Sequence, residues 1–390
     1  MVSLTRRQAL TTIGTASVGL AGCLSGTSLD GSLGHVGEAW PMDGSDPGHA
    51  RRVDDGPADP REVWATELAD ARVAGTASVA DDRLYVPVDA VSEKARHRYR
   101  LHALTAATGE ERWQVPLRAE PNGSPAIRGD RVVVTARRSL ERGRIVAFRN
   151  RYGGEAWLYD VDARLTAPPT VDGTTVYVPD WAGNVHALSV FDGSIRWSRR
   201  VATEESGRTF ATPVAVSDGS LYLGSLSGAT GVVALDAESG RERWSRSTDV
   251  VTAGPVVADG IVLVRAHSLV VAFDTDGTRR WSFNVPGEGG QTLALDDEYA
   301  YTPGGDTLYA IDRDGETAWS YESSGGRVGP PTVAGDDVVV REEGQLTALS
   351  RTDGTERWKA TQTGTGEAVV TPGAVFLTGD AERVVALGDN

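Results

Sequence analysis

Eight tryptophans stand at nearly equal intervals along this chain, and that spacing limits the possible folds more than any other feature. They are Trp64, Trp113, Trp157, Trp197, Trp244, Trp281, Trp319 and Trp358, and from the first to the last the chain advances 294 residues in seven steps, a mean of 42. The stretch Ala234-Leu-Asp-Ala-Glu-Ser-Gly240-Arg-Glu-Arg-Trp244 defines the frame, with Ala ten residues and Gly four residues before the Trp. The same frame recurs at Ala103/Gly109/Trp113, Ala147/Gly153/Trp157, Ala187/Gly193/Trp197 and Ala348/Gly354/Trp358. Ala272/Gly277/Trp281 and Ala310/Gly315/Trp319 are one residue shorter.

Each part of the frame has a physical reason. Apolar residues before the Ala, such as Val232-Val233, predict a strand; the Asp/Ser/Thr/Gly run predicts a hairpin turn with Gly where φ is positive; and the Trp begins the returning strand. The Ala is small because the Trp folds back near it. Upstream of each copy lies another strand pair around a turn, as in Gly254–Ala258, Asp259-Gly260 and Ile261–Val264. Four strands every 42 residues is the period of a β-propeller blade.

The ends of the chain set the blade count. Val384-Val385-Ala386-Leu387 supplies the Ala strand of a last unit that has no Trp strand before Asn390, and Glu62-Val63-Trp64 is a Trp strand with no unit before it. The two fragments complete one blade. The expectation is an all-β, eight-bladed propeller over 61–390, closed by its N-terminal strand, so that no sheet edge is left open at the seam. The frame resembles the tryptophan-docking motif of the pyrroloquinoline-quinone-like propeller repeat family, which includes quinoprotein alcohol dehydrogenases and the propeller lipoprotein of the bacterial outer-membrane barrel-assembly machinery.

Residues 1–22 read as an export signal, because Thr5-Arg6-Arg7-Gln8-Ala9-Leu10 resembles a twin-arginine motif and a mildly apolar segment follows it. Leu20-Ala21-Gly22-Cys23 resembles a lipobox, which would make Cys23, the single cysteine, a lipid attachment site on the outer face of the cytoplasmic membrane. Gly, Ser, Asp and Pro dominate from there to about residue 59, so 23–60 reads as a flexible tether that the propeller can lose with little effect. Trp40-Pro41-Met42-Asp43-Gly44 interrupts the tether and admits a second reading, as a plug or strap on the propeller, since a lone exposed Trp is costly.

Lys and Arg number 39 against 54 Asp and Glu, a net charge of −15, and only two of the cations, Lys94 and Lys359, are lysines. An acidic, arginine-rich, lysine-poor balance is similar to that of halophilic archaeal proteins and argues against nucleic acid as a partner. Against that background two loops between the second and third strands of their blades invert the charge. Lys94, Arg96, Arg98 and Arg100 crowd the loop of blade 1, and Arg137, Arg138, Arg142 and Arg144 that of blade 2. Blade 3 offers Trp181 at the same place, and Tyr99 adds a second aromatic ring. Loops at matched positions of successive blades emerge on one face, so these residues form the candidate partner site.

Catalytic candidates are few. His102 and His186 precede the repeat Ala at matched positions and read as strand-face packing residues. Asp274-Thr275-Asp276-Gly277 and Asp312-Arg313-Asp314-Gly315 resemble the start of a calcium loop but lack its distal carboxylate, and so read as hairpin turns. Two readings of function follow from the resemblance. One is a non-enzymatic, membrane-anchored, monomeric scaffold that binds a protein or envelope ligand and needs no cofactor. The alternative is a quinoprotein dehydrogenase, for which the resemblance implies an adjacent Cys-Cys pair, a calcium site and a catalytic Asp; with one cysteine, in the signal region, the chain lacks the pair.

Overall fold

The computed structural model describes residues 31–34, 36, 40–68, 71–90, 98–201, 208–227, 231–286, 292–361, 366–378 and 383–389. Among these every regular element is a strand, and the strands form eight sheets of four or five. Each blade is an antiparallel meander whose strands are ordered from the axis outwards, and in blade 7 the short strand Arg52–Val53 adds in parallel to the innermost strand Thr332–Ala334. Blade 4 is typical, with Ala215–Ser217 innermost, then Ser220–Gly224, Val232–Asp236 and Glu242–Arg246. The first turn in blade 5 uses Asp259 and Gly260 at φ 49° and 77°, the positive pair that a two-residue hairpin with right-handed strand twist requires.

The seam lies where the repeat arithmetic put it. Arg61–Glu67 is the outermost strand of blade 8, antiparallel to Arg383–Gly388, with Trp64 opposite Ala386. Arg383 Nη2 reaches Glu62 Oε1 at 2.6 Å across the join. Every repeat Ala likewise faces its Trp across the third and fourth strands, as Ala234 faces Trp244, and a register shift follows the pair in each blade.

The indole, however, does more than fold back on its own Ala. It leans against the third-to-fourth-strand turn of the next blade, where a Cβ on the turn Gly would come within 2.5–2.8 Å of the ring, from Gly109 on Trp64 to Gly354 on Trp319. Gly240, at φ 66°, is thus required twice: by its backbone conformation and by the face of Trp197. Trp Nε1 usually completes the dock by donating to a carbonyl of that turn, as Trp197 does to Ala237 O at 3.0 Å and Trp244 to Thr275 O at 2.8 Å. Cores lie between blades. Tyr177 and Ala187 of blade 3 pack with Val216, Leu221 and Leu235 of blade 4 in one buried cluster.

The tether expected over 23–60 is largely packed against the propeller from Trp40 to Val53, and Leu33 and Val36 before it are buried as well. Trp40 is fully buried, Met42, Ala50 and Val53 are buried, and the segment circles the channel against the innermost strands. It presents one carbonyl after another to the same inner-strand N–H of successive blades. Val79 donates to Trp40 O, Ile127 to Pro41 O, Val216 to Pro47 O, Val257 to Gly48 O, Leu295 to Ala50 O and Val333 to Arg51 O, at 2.7–3.0 Å. Six blades are capped in this way. The physical reason is that an innermost strand is an edge whose N–H groups face the axis, and an extended segment there supplies their acceptors. Of the two readings of Trp40–Gly44, the plug is the one observed.

Candidate partner-binding surface and axial plug

The second-to-third-strand loops of blades 1 to 3 occupy equivalent places in adjacent sheets, on the face opposite the docking turns. Lys94 and Arg96 fall outside the described residues, as do the signal and Cys23. Arg98 forks onto Asp89, with Nε at 2.9 Å from Oδ1 and Nη2 at 3.1 Å from Oδ2, and its guanidinium lies 5.2 Å from the centre of the Tyr99 ring. Burial raises the Tyr99 hydroxyl above its ordinary value, and the nearby Glu120 carboxylate adds to this. Glu120 accepts from Arg137, so Tyr99 and Arg137 share the neighbourhood of one carboxylate of blade 2.

Arg100 Nη1 donates to Gln114 Oε1 at 3.2 Å. Arg144 binds Asp160 through two bonds of 2.8 and 3.0 Å, and Arg138 joins the same carboxylate at 3.3 Å. These bonds, with that from Arg144 the strongest, hold the Asp160 carboxyl below the usual range. Exposed pairs of this kind contribute roughly 0–1 kcal/mol each, so they order the loops more than they stabilise the fold. The side chain of Arg142 makes no hydrogen bond or ion pair among the described residues.

In blade 3, Trp181 stands on a loop that is fixed from below. Asp180 Oδ1 accepts from the Asn184 N–H at 2.8 Å, and Oδ2 accepts from Asn184 Nδ2 at 2.7 Å and from His186 Nε2 at 3.0 Å. Burial opposes ionisation of Asp180, yet the hydrogen bonds from His186 and Asn184 outweigh it and leave the carboxyl below its ordinary pKa. Arg164 stacks 4.7 Å from the Trp181 ring centre. His186 Nδ1 in turn lies 3.0 Å from Ser198 Oγ on the outer strand. His186 is thus a buried strand-face residue, as its position implied, and it braces the loop that carries Trp181. His102 is buried in the same way and bonds Glu111 at 2.7 Å, and burial pushes its imidazole below the usual value. The Asp274 and Asp312 segments close as hairpin turns, with Gly277 N–H donating to Asp274 O at 2.9 Å and Gly315 N–H to Asp312 O at 3.2 Å.

The axis holds a second polar group, which sequence reasoning did not single out. His49 Nδ1 lies 2.7 Å from Asp43 O, and Nε2 lies 3.0 Å from both Thr170 Oγ1 and Val214 O, which ties the plug to blades 3 and 4. Arg51 Nε donates to Pro331 O at 2.9 Å while its guanidinium stacks 5.2 Å from the Trp40 ring centre. Arg51 Nη1 is 3.9 Å from Glu367, which also accepts from Thr76 at 2.6 Å. Burial pushes the Asp43 carboxyl up, and His49 pulls it the other way. Asp43, His49, Arg51, Thr212, Thr292 and Glu367 line a cavity of about 210 Å³ floored by the plug. The one signal of this arrangement in the sequence is a Trp, a His and an Arg inside an otherwise polar stretch.

Among the described residues no group of three or more His, Cys, Asp or Glu is placed to hold a metal ion. The pair of adjacent cysteines that the dehydrogenase reading requires cannot form in a chain with one cysteine. The site therefore does not fit a quinone held in that manner.

Tryptophan-docked blades, a seam closed from the N-terminus and an occupied axis define an eight-bladed propeller of the quinoprotein-like type. The chain belongs to the family described as outer membrane protein assembly factor BamB, whose model matches residues 48–267, 203–287 and 266–389. It is similar to the protein of that description from Moranella endobia, with 27% identity over 247 residues, 57% of this chain and 59% of the relative. The Yersinia pestis protein of the same description is 26% identical over 241 residues, 56% of this chain and 57% of the relative. The chain thus spans less than two thirds of the length of these curated relatives. Among solved structures, that of BamB from Moraxella catarrhalis superimposes with a TM-score of 0.66 at 18% identity, covering 85% of this chain and 98% of that one. Quinohemoprotein alcohol dehydrogenase from Comamonas testosteroni gives 0.68 at 16% identity, covering 90% and 80%. At such identities the structural likeness bears on the fold alone.

Proposed function

We propose that this chain is a non-enzymatic scaffold of the cell envelope, lipidated at Cys23, exported by the twin-arginine route and held on the outer face of the cytoplasmic membrane, where it binds a protein partner. The acidic, lysine-poor composition suits a halophilic archaeal setting. What supports the scaffold reading most is the occupied axis: the chain's own Trp40–Pro57 fills one end of the channel, and the side chains that depart from the repeat gather on blades 1 to 3. The relatives from Moranella endobia and Yersinia pestis support the same reading, since each is described as an assembly factor. The partner face comprises Lys94, Arg96, Arg98, Tyr99, Arg100, Arg137, Arg138, Arg142, Arg144 and Trp181. Arginine forks and aromatic rings act at contact distance, where salt screens them least.

Crosslinking in native membranes, followed by identification of the captured protein, tests this. Substituting Arg96, Arg98, Arg138 and Arg142 with Gln, or Trp181 with Ala, is expected to leave the fold intact and abolish capture. Cys23→Ser is expected to release the protein from membranes, and unchanged membrane association rules out the lipid anchor. A quinone absorbance band that titrates stoichiometrically into the purified protein with calcium would establish the dehydrogenase instead.

A further inference from the structure

Eight blades are eight copies of one scaffold, so a side chain unlike its seven counterparts stands out without outside reference. Among the described residues six large apolar side chains are exposed: Leu140 (74%), Tyr152 (60%), Phe191 (51%), Ile195 (49%), Trp181 (39%) and Leu158 (38%). All six belong to blades 2 and 3. They stand at three heights: Leu140 and Trp181 in the second-to-third-strand loops, Leu158 and Ile195 on the outermost strands Glu155–Val161 and Ile195–Arg200, and Tyr152 and Phe191 in the docking turns.

The copies elsewhere are polar or small at these places. The two residues before the turn glycine are Ala107-Thr108, Glu238-Ser239, Thr275-Asp276, Arg313-Asp314 and Thr352-Asp353, against Arg151-Tyr152 and Phe191-Asp192 here. The position after the docking Trp, occupied by Leu158, is Gln114, Ser198, Ser245, Ser282, Ser320, Lys359 or Ala65 in the other blades. Nothing in blade construction asks for Leu, Tyr or Phe at these points, and an apolar group left in water is a cost that a partner can remove.

Charge singles out the same two blades. From Arg131 to Arg200 the chain carries eleven arginines and seven carboxylates, although its net charge is −15. The side chains of Arg142 and Arg151, beside Leu140 and Tyr152, make no hydrogen bond or ion pair among the described residues. Beneath them the wall is held in place: Arg138 and Arg144 grip Asp160, and Asp180 with His186 fixes the loop of Trp181. A surface already ordered loses little conformational entropy on binding.

We propose that the outer wall of blades 2 and 3 is a protein-docking surface for a partner segment that is acidic and bears apolar side chains. The proposal rests on the scaffold reading and moves the main contact from the loop face to the wall. Carboxylates favour a protein over an anionic lipid surface: Glu141, Glu155, Asp160 and Asp192 are interleaved with the arginines and would be repelled by a uniform plane of negative headgroups, whereas a protein can meet each charge in turn.

The test uses the full chain and three labelled peptides of equal length: one alternating Glu with Leu and Phe, one alternating Glu with Ser, and one alternating Lys with Leu and Phe. Fluorescence polarisation is expected to detect binding of the first alone. Leu158→Ser with Phe191→Ser, and separately Arg142→Glu with Arg151→Glu, are expected to weaken it by about tenfold or more, with circular dichroism unchanged. Equal binding of the other peptides, undiminished binding by the variants, association only with phosphatidylglycerol vesicles, or an effect of the variants on self-association alone each overturn the proposal. Photo-crosslinking residues placed at 158 and 191, and in parallel at 99 and 138, separate it from the scaffold reading in native membranes. Adducts only at 99 and 138 overturn the wall and spare the scaffold; adducts at none of the four overturn both.

Discussion

Two stretches near the N-terminus join the ring, and they are written in different codes. Arg61–Glu67 completes blade 8 at the outside, and its Trp64 obeys the repeat: it faces Ala386, stacks on Gly109 and donates to Ala106 O at 3.0 Å. Trp40–Pro57 enters at the inside, obeys no repeat, and touches nearly every blade. The outer strand is recognised by its side chains; the inner segment is held mainly through its backbone, by carbonyls that any sequence able to follow the circle could offer. A fold can therefore depend on a stretch whose composition resembles a linker.

The strongest test of that contrast removes each stretch in turn. Deleting 61–67 strips blade 8 of its outer strand and opens the seam, and it is expected to cost more than about 5 kcal/mol, a large share of a domain's usual 5–15 kcal/mol, with loss of a single cooperative transition in calorimetry. Deleting 40–57 leaves the seam intact but uncaps the inner strands of six blades and empties the channel around buried Trp40. Its thermal midpoint is expected to fall clearly, though less than for the seam deletion. A melting curve unchanged from the full chain would return this segment to the status of a tether.

Within the ring the docks are expected to differ in strength. Trp244→Ala leaves a void against Gly277 and an unmet carbonyl at Thr275, and is expected to cost about 3–5 kcal/mol by denaturant titration. Trp358→Ala is expected to cost less: both indoles are partly buried, but the Trp358 Nε1 has no acceptor among the described residues. Equal losses would mean that the indole hydrogen bond contributes nothing. Gly240→Ala is expected to cost about 1–3 kcal/mol, since it combines a positive φ with a Cβ 2.7 Å from the Trp197 ring.

The smallest effect concerns acid. The Asp180 carboxyl is held below its ordinary pKa of 3.8, so the stability it lends is present above that value and is lost as pH falls through the depressed one. Trp181 fluorescence is expected to change in that acidic window, before global unfolding, and Asp180→Asn is expected to remove the pH dependence. A Trp181 signal flat through the window would show that the loop does not depend on this carboxylate.

Repeats made most of the fold legible. Ala, Gly and Trp at fixed offsets announced each blade, and the two incomplete ends announced the seam, because docking chemistry is local and is stated eight times over. The candidate site was legible only in part. Charge inversion pointed to blades 1 to 3, but Asp89, Glu120 and Asp160, which receive Arg98, Arg137 and Arg138 with Arg144, lie 9 to 22 residues away in the chain and become neighbours through strand pairing. Leu158, Tyr152 and Phe191 of the proposed wall are not legible one by one, because single apolar residues in strands and turns look ordinary until the eight copies are compared by position.

By itself, then, the sequence determined the number of blades, the order of strands within them and the place of closure, all of which follow from side-chain patterns that recur at short range. Tertiary structure decided which blade each indole leans on, which acidic groups neutralise the arginines, and that Trp40–Pro57 lies in the axis. Those outcomes depend on atoms brought together from distant blades. For the plug they depend on backbone N–H groups that every residue but proline carries, so Trp40 could suggest a plug but not the blades that its backbone caps.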